Sequence, residues 1–243
     1  MILIRKRLLH RWSLRLCSLL GAAAVLWGSV KLPPQPVFAP AEGSPVVWIV
    51  DAGHGGEDGG AVSPDGVQES HINLDVALRL HALLRFAGQQ ARLIRQADVS
   101  VCDEGLPTIR ARKASDIRNR VARVNETAGA VLVSVHQNSL PSSPETHGAQ
   151  VFWNRQPGGE ELAGVVQENL NDVVNTHRAK ESRKIPDTIY LMKHVTAPAI
   201  LVECGFLSNR AETARLQEPS YQRKLAAAIA AGCLRALAGE ETP

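Results

Sequence analysis

Short apolar runs alternating with segments of helical period predict an α/β domain, one sheet with helices on both faces. Val46–Val50 and Ala130–Val135 are apolar runs of strand length. Between them Leu74, Ala77, Leu78 and Leu84 recur at helical spacing. The alternation continues to the end of the chain, as α/β architectures require.

In chain order, Val46-Val-Trp-Ile-Val50 reads as a central strand, followed by a glycine-rich loop over 53–66. A helix is predicted over 73–86, with Gly88 as its stop. Ala91-Arg-Leu-Ile94 is a second strand. A helix over 115–127 places Ile117, Val121 and Val124 on one face. The strands Ala130-Val-Leu-Val-Ser-Val135 and Ala149-Gln-Val-Phe-Trp153 come next, then a helix over 160–174. Ala199-Ile-Leu-Val202 is a further buried strand, and helices over 211–216 and 221–237 close the series.

The chain has 243 residues and a formal net charge of +3. Arg5, Lys6, Arg7, Arg11 and Arg15 precede any acidic residue, so the rest is close to neutral. That excludes the basic folded surface expected of a nucleic-acid binder. Leu16 to Val30 is uncharged, and a proline-rich stretch follows. The run is short for a span of about 20 residues and suits an export signal. Residues 1–30 therefore read as a signal or anchor segment, 31–44 as a linker, and 45–240 as one folded domain. Ala39-Pro-Ala41 resembles a cleavage site but lies far from the apolar run. Cleavage and an uncleaved membrane anchor both stay open. Cations stay in the cytoplasm, so the domain is expected outside it. Of four cysteines, Cys17 lies in the apolar run. Cys102, Cys204 and Cys233 have no spacing that suggests a disulfide framework or a structural zinc site.

The chemistry gathers at strand ends. Asp51 and His54 follow the first strand, His136 follows Ala130–Val135, and Glu203 follows Ala199–Val202. In open α/β sheets, ligands bind outside the carboxyl ends of the strands. A catalytic zinc needs three His, Asp or Glu ligands and one open position. His54 and His136 supply two, and either Glu69 or Asp51 supplies the third; the strand-end rule does not separate them. Gly53, Gly55 and Gly56 around His54 permit close backbone approach. No phosphate-binding glycine motif accompanies them, which argues against a nucleotide site. Taken singly, Glu69 would suit a helix N-terminus and Glu203 an arginine partner.

These segments resemble the zinc-dependent N-acetylmuramoyl-L-alanine amidase family. Ile49-Val-Asp-Ala-Gly-His-Gly-Gly56 is similar to its first zinc loop, and Glu69 with Asn73-Leu74 to its ligand-bearing helix start. Leu93-Ile-Arg95 with Asp98, and Arg120 with Asn125, are similar to two further motifs. Ser134-Val-His-Gln-Asn138 resembles the second histidine segment, and Pro198 to Asn209 the glutamate segment. Ile94 and Gln137 depart from the family pattern. The resemblance implies a mixed, mostly parallel sheet of about six strands. It implies one Zn²⁺ per chain on His54, Glu69 and His136, and Glu203 as the catalytic base. Asp51, Arg95, Arg120 and Asn138 are expected behind the ligands or against substrate, with Asp51 fixing an imidazole tautomer. The implied substrate is peptidoglycan, cut between its lactyl group and L-alanine, in the cell wall or periplasm. The short interval from His136 to Gly148 leaves no room for a helical plug over the site. The small size, the N-terminal segment and the lack of further modules resemble germination-specific amidases of spore-forming bacteria, which makes the spore cortex a candidate wall. An activating protein partner stays open. The rival readings are a metal-free wall-binding or regulatory protein on the same fold, and a zinc peptidase of the stem.

Overall fold

The computed structural model describes residues 45–239. The signal or anchor segment and the linker lie outside the described residues. Among the described residues, no helix is long and apolar enough to cross a membrane.

Six strands form one sheet: β1 (Val47–Ala52), β2 (Gln90–Leu93), β3 (Ala130–Asn138), β4 (Gln150–Trp153), β5 (Arg183–Lys184) and β6 (Ala199–Phe206). Their order is β2-β1-β3-β6-β4-β5. β4 runs antiparallel to β6, and every other pairing is parallel. The mixed, mostly parallel sheet implied by the resemblance is present.

The helices are α1 (Glu69–Phe86), α2 (Ile109–Asn125), α3 (Gly159–Val173), α4 (Tyr190–His194), α5 (Arg210–Leu216) and α6 (Pro219–Ala238). Strand parity sorts them into two layers. Trp48, Val50, Val133, Val135 and Val202 pack with Ile72, Val76, Leu80 and Leu84 of α1, and with α3 and α6. Val47, Ile49, Leu132 and Leu201 on the opposite face pack with Val124 of α2 and Leu191 and Met192 of α4. Burying a side chain of this size is worth about 1.5–3 kcal/mol, so each layer is held by its own apolar rows.

The register places the chemistry. Asp51 pairs with Ser134, and His136 with Glu203. Side chains two residues apart share a face. The apolar row Ile49, Leu132, Leu201 therefore gives way, toward the carboxyl ends of the strands, to Asp51, Ser134, His136 and Glu203.

Several predicted boundaries move. α1 starts at Glu69 rather than at 73, and its buried face is Ile72, Val76, Leu80 and Leu84 rather than the row through Leu74 and Leu78. α2 starts at Ile109, where the Thr108 hydroxyl accepts from the Ala111 amide at 3.1 Å. Its first turn is largely polar and exposed, so apolar period did not mark it. β5 and α4 are too short to show a period.

α6 lies close against α3. A Cβ on Gly232 would fall 2.7 Å from the Val166 Cα, a backbone atom that no rotamer can move. Gly232→Ala should gain about 0.5–1 kcal/mol in helix propensity and lose about 1–3 kcal/mol to overpacking. The net expectation is a loss of about 1–2 kcal/mol by denaturant unfolding. A stabilised variant would contradict this packing.

Candidate active site

The glycine-rich loop leaves β1 at Ala52 with carbonyls that no strand partner meets. Two buried arginines meet them. Arg95 donates to the carbonyls of Ala52 at 2.9 Å, Gly53 at 3.0 Å and Ser70 at 2.8 Å. Arg120 donates to the carbonyls of Ala52 at 2.9 Å and His54 at 2.7 Å. Its charge is matched by Asp51 and Asp116. Burial alone would lower the Arg120 pKa, but these carboxylates raise it above its usual range.

The clamp holds His54 at φ 60°, the one non-glycine residue with positive φ among the described residues. The loop also runs tight against the second histidine. A Cβ on Gly53 would lie 2.3 Å from the His136 ring. A side chain there would displace that imidazole.

His54 and His136 meet edge to face, with ring centroids 5.1 Å apart. Glu69, the first residue of α1, reaches both from the other layer. Its Oε2 is 3.3 Å from His54 Nε2, and its Oε1 is 2.9 Å from His136 Nδ1. One ligand atom from each of these three side chains falls within 4.8 Å of the other two. Glu69 also accepts from the amides of Ala61 at 2.9 Å and Gln137 at 3.1 Å, and from Asn73 Nδ2 at 3.1 Å. Burial opposes its charge, yet the two histidines hold the carboxyl far below the usual range.

Asp58 contacts His54 Nδ1 at 2.8 Å and the Lys113 ammonium at 2.8 Å. Burial alone would lower the His54 pKa, but Asp58 and Glu69 raise it to about 9. Glu203 has the opposite environment. Its Oε2 is buried and finds no hydrogen-bond partner among the described residues. Burial lifts its pKa to about 7, opposed by the charge of His136. His54, Asp58, Glu69, Lys113, His136 and Glu203 all line one cavity of about 500 Å³, whose lining also includes Thr188, Ile189 and Tyr190.

The structure thus brings His54, Glu69, His136 and Glu203 together. Asp51 is a correction: it meets no imidazole. Its oxygens are spent on Arg120 and on the Ser134 hydroxyl at 2.7 Å, because strand parity points it at α2. The imidazole partner is Asp58, which sequence reading missed; its position one turn of loop after His54, among glycines, was the available signal. Arg95 binds backbone carbonyls away from the cavity lining, whereas Arg120 binds backbone and carboxylates and also borders the cavity. Asn138 lines the cavity, with its Oδ1 accepting from the Ser139 amide at 2.7 Å. The Gln137 amide lies beneath, donating to Asn73 Oδ1 at 3.1 Å.

Two imidazoles and a carboxylate, with a separate carboxyl beside them at the strand ends, are the groups of a hydrolase site. Residues 49–235 match the N-acetylmuramoyl-L-alanine amidase family model, and the chain belongs to that family. It is an amidase acting on peptidoglycan. The germination-specific N-acetylmuramoyl-L-alanine amidase of Bacillus subtilis is 35% identical over 190 residues, covering 78% of each chain. The CwlD amidase of Clostridioides difficile, solved in complex with the GerS lipoprotein, is 35% identical with a TM-score of 0.76, covering 79% of this chain and 98% of that one. The AmiC2 amidase of Nostoc punctiforme is 30% identical with a TM-score of 0.62, covering 78% and 96%.

Arg120→Met should destabilise the fold by about 3–5 kcal/mol, because it strands the buried Asp51 without its cation. Denaturant unfolding reads this; a loss below about 1 kcal/mol would mean that the pair carries little.

Proposed function

We propose that this amidase is zinc-dependent, with His54, Glu69 and His136 holding one ion and Glu203 acting as the catalytic acid and base. One observation supports the reading above others: the unpartnered, buried Oε2 of Glu203 beside a donor set of zinc type. The set fits such an ion, with two imidazoles and one carboxylate already close enough to share it. When bound, zinc lowers the pKa of water and polarises a carbonyl.

The chain's own residues do the rest. Asp58 occupies His54 Nδ1 and so leaves Nε2 for the ion. The Ala61, Gln137 and Asn73 donors fix the Glu69 carboxylate. Glu203 takes a proton from the attacking water at Oε2, then delivers it to the nitrogen of the departing L-alanine. A pKa near neutrality suits a group that must both accept and return a proton. The bond cut is the amide between the lactyl group of N-acetylmuramic acid and L-alanine.

The substrate lies outside the cytoplasm, so the N-terminal segment is read as the export signal or anchor. The germination-specific relative supports the spore cortex as the wall attacked. The lipoprotein complex of the Clostridioides difficile relative supports a protein partner for this chain as well.

Glu203→Gln should keep its zinc and lose at least about 100-fold in turnover, whereas His54→Ala should lose both. Metal analysis and the release of stem peptide from purified peptidoglycan check this. Normal digestion by Glu203→Gln would remove it from the mechanism.

Zinc binding should also be coupled to protons. His54 is raised to about 9 in the metal-free chain but must be neutral to bind the ion. Zinc affinity should therefore weaken as pH falls below about 9, and binding at pH 7 should release a proton. Calorimetry in buffers of different ionisation enthalpy measures this; zero release would contradict it.

A further inference from the structure

Amide hydrolysis fixes the direction of the substrate. On the proposed roles, the scissile carbonyl sits at the His54, Glu69 and His136 group and the departing nitrogen sits at Glu203. The muramyl half then lies on the β1 side and the peptide leaves past β6. The next strand on that side is β4, whose Gln150 stands in register with Glu203.

A second cavity, of about 770 Å³, opens there. It joins the first through Asn138, which lines both. Its floor is Phe206, the register partner of Asn138. The Lys180 ammonium stands 4.5 Å above the centroid of that ring. It donates to the Gly148 carbonyl at 2.7 Å, and its other two N–H groups meet no acceptor among the described residues. Arg178 and Arg183 line the same cleft, exposed and in no ion pair among the described residues. The cleft also holds Glu145 and Glu181, both exposed. Glu145 accepts from the Ser143 hydroxyl, and the Glu181 carbonyl accepts from Gln150.

Lys180 is the half-buried member. Burial and Arg178 oppose its charge, while Glu212 and Glu203 favour it without touching it. A partly dehydrated ammonium with two unmet donors is a place for an anion. Stem peptides carry free carboxylates.

We propose that this cleft is the stem-peptide subsite, where Lys180, flanked by Arg178 and Arg183, binds a free carboxylate of the peptide being released. The proposal rests on the assignment of Glu203 as proton donor to the departing amine. Lys180 is a substrate-binding residue here and takes no part in bond cleavage.

The test compares glycan strands whose stem carboxylates are free with the same strands amidated by carbodiimide and ammonia. The wild-type kcat/KM should be about 10- to 100-fold higher for the free acids, the range of a charge-assisted hydrogen bond. Lys180→Met should bring that ratio close to one by lowering the rate on the free acids. A role in holding the Gly148 loop alone would lower both rates together. The exposed pair Arg178→Gln with Arg183→Gln should reduce the ratio in part; if Lys180→Met does not fold, this double variant decides. A wild type that does not discriminate, or variants that keep its ratio, would overturn the subsite. Failure of the underlying assignment looks different: Glu203→Gln would release stem peptide from both strands at the wild-type rate.

Discussion

Everything at this site depends on how two arginines hold one loop. Arg95 and Arg120 reach the carbonyls of Ala52, Gly53 and His54 from the β2 and α2 sides. A strand that ends leaves such groups without partners, and buried unpaired carbonyls are costly. A guanidinium answers that need with several donors in one plane. Because the loop is pinned by its backbone, the side chain of His54 is free to turn toward Glu69. Asp51 is the anion that lets Arg120 remain charged in this place. A residue that looks like a ligand in the sequence is therefore the support of the loop that carries His54.

Two glutamates show how environment divides labour within a few ångströms. Glu69 receives amide and side-chain donors on both oxygens and is held ionised. Glu203 is half-buried, but its buried Oε2 receives none, and burial raises it toward neutrality. A saturated carboxylate suits a fixed role and an unsaturated one suits proton transfer. The contrast is made by α1, whose start delivers Glu69 and Asn73 together, while β6 delivers Glu203 beside His136 with no donor for its Oε2.

Much of this was legible before any coordinates. The apolar runs marked the four central strands, and the rule that ligands gather at their carboxyl ends singled out His54, His136 and Glu203. Strand-end spacing left Glu69 and Asp51 open and the family resemblance pointed to Glu69; strand parity then turns Asp51 to Arg120 and Ser134. The Arg95 and Arg120 clamp was equally out of reach, since arginines that bind backbone leave no periodic trace. Asp58 was hidden in a loop whose path is set by contacts with β3 and α2. Lys180 lies in the connection from α3 to the edge strand β5, which is only two residues long. Such segments take their shape from what surrounds them.

The central claim is that His54, Glu69 and His136 share one zinc ion beside the unpartnered oxygen of Glu203. Anomalous diffraction from crystals of the purified chain, recorded on both sides of the zinc absorption edge, tests it directly. The expected result is a single peak in contact with those three side chains. A zinc peak elsewhere, or none after soaking in zinc at neutral pH, would contradict it.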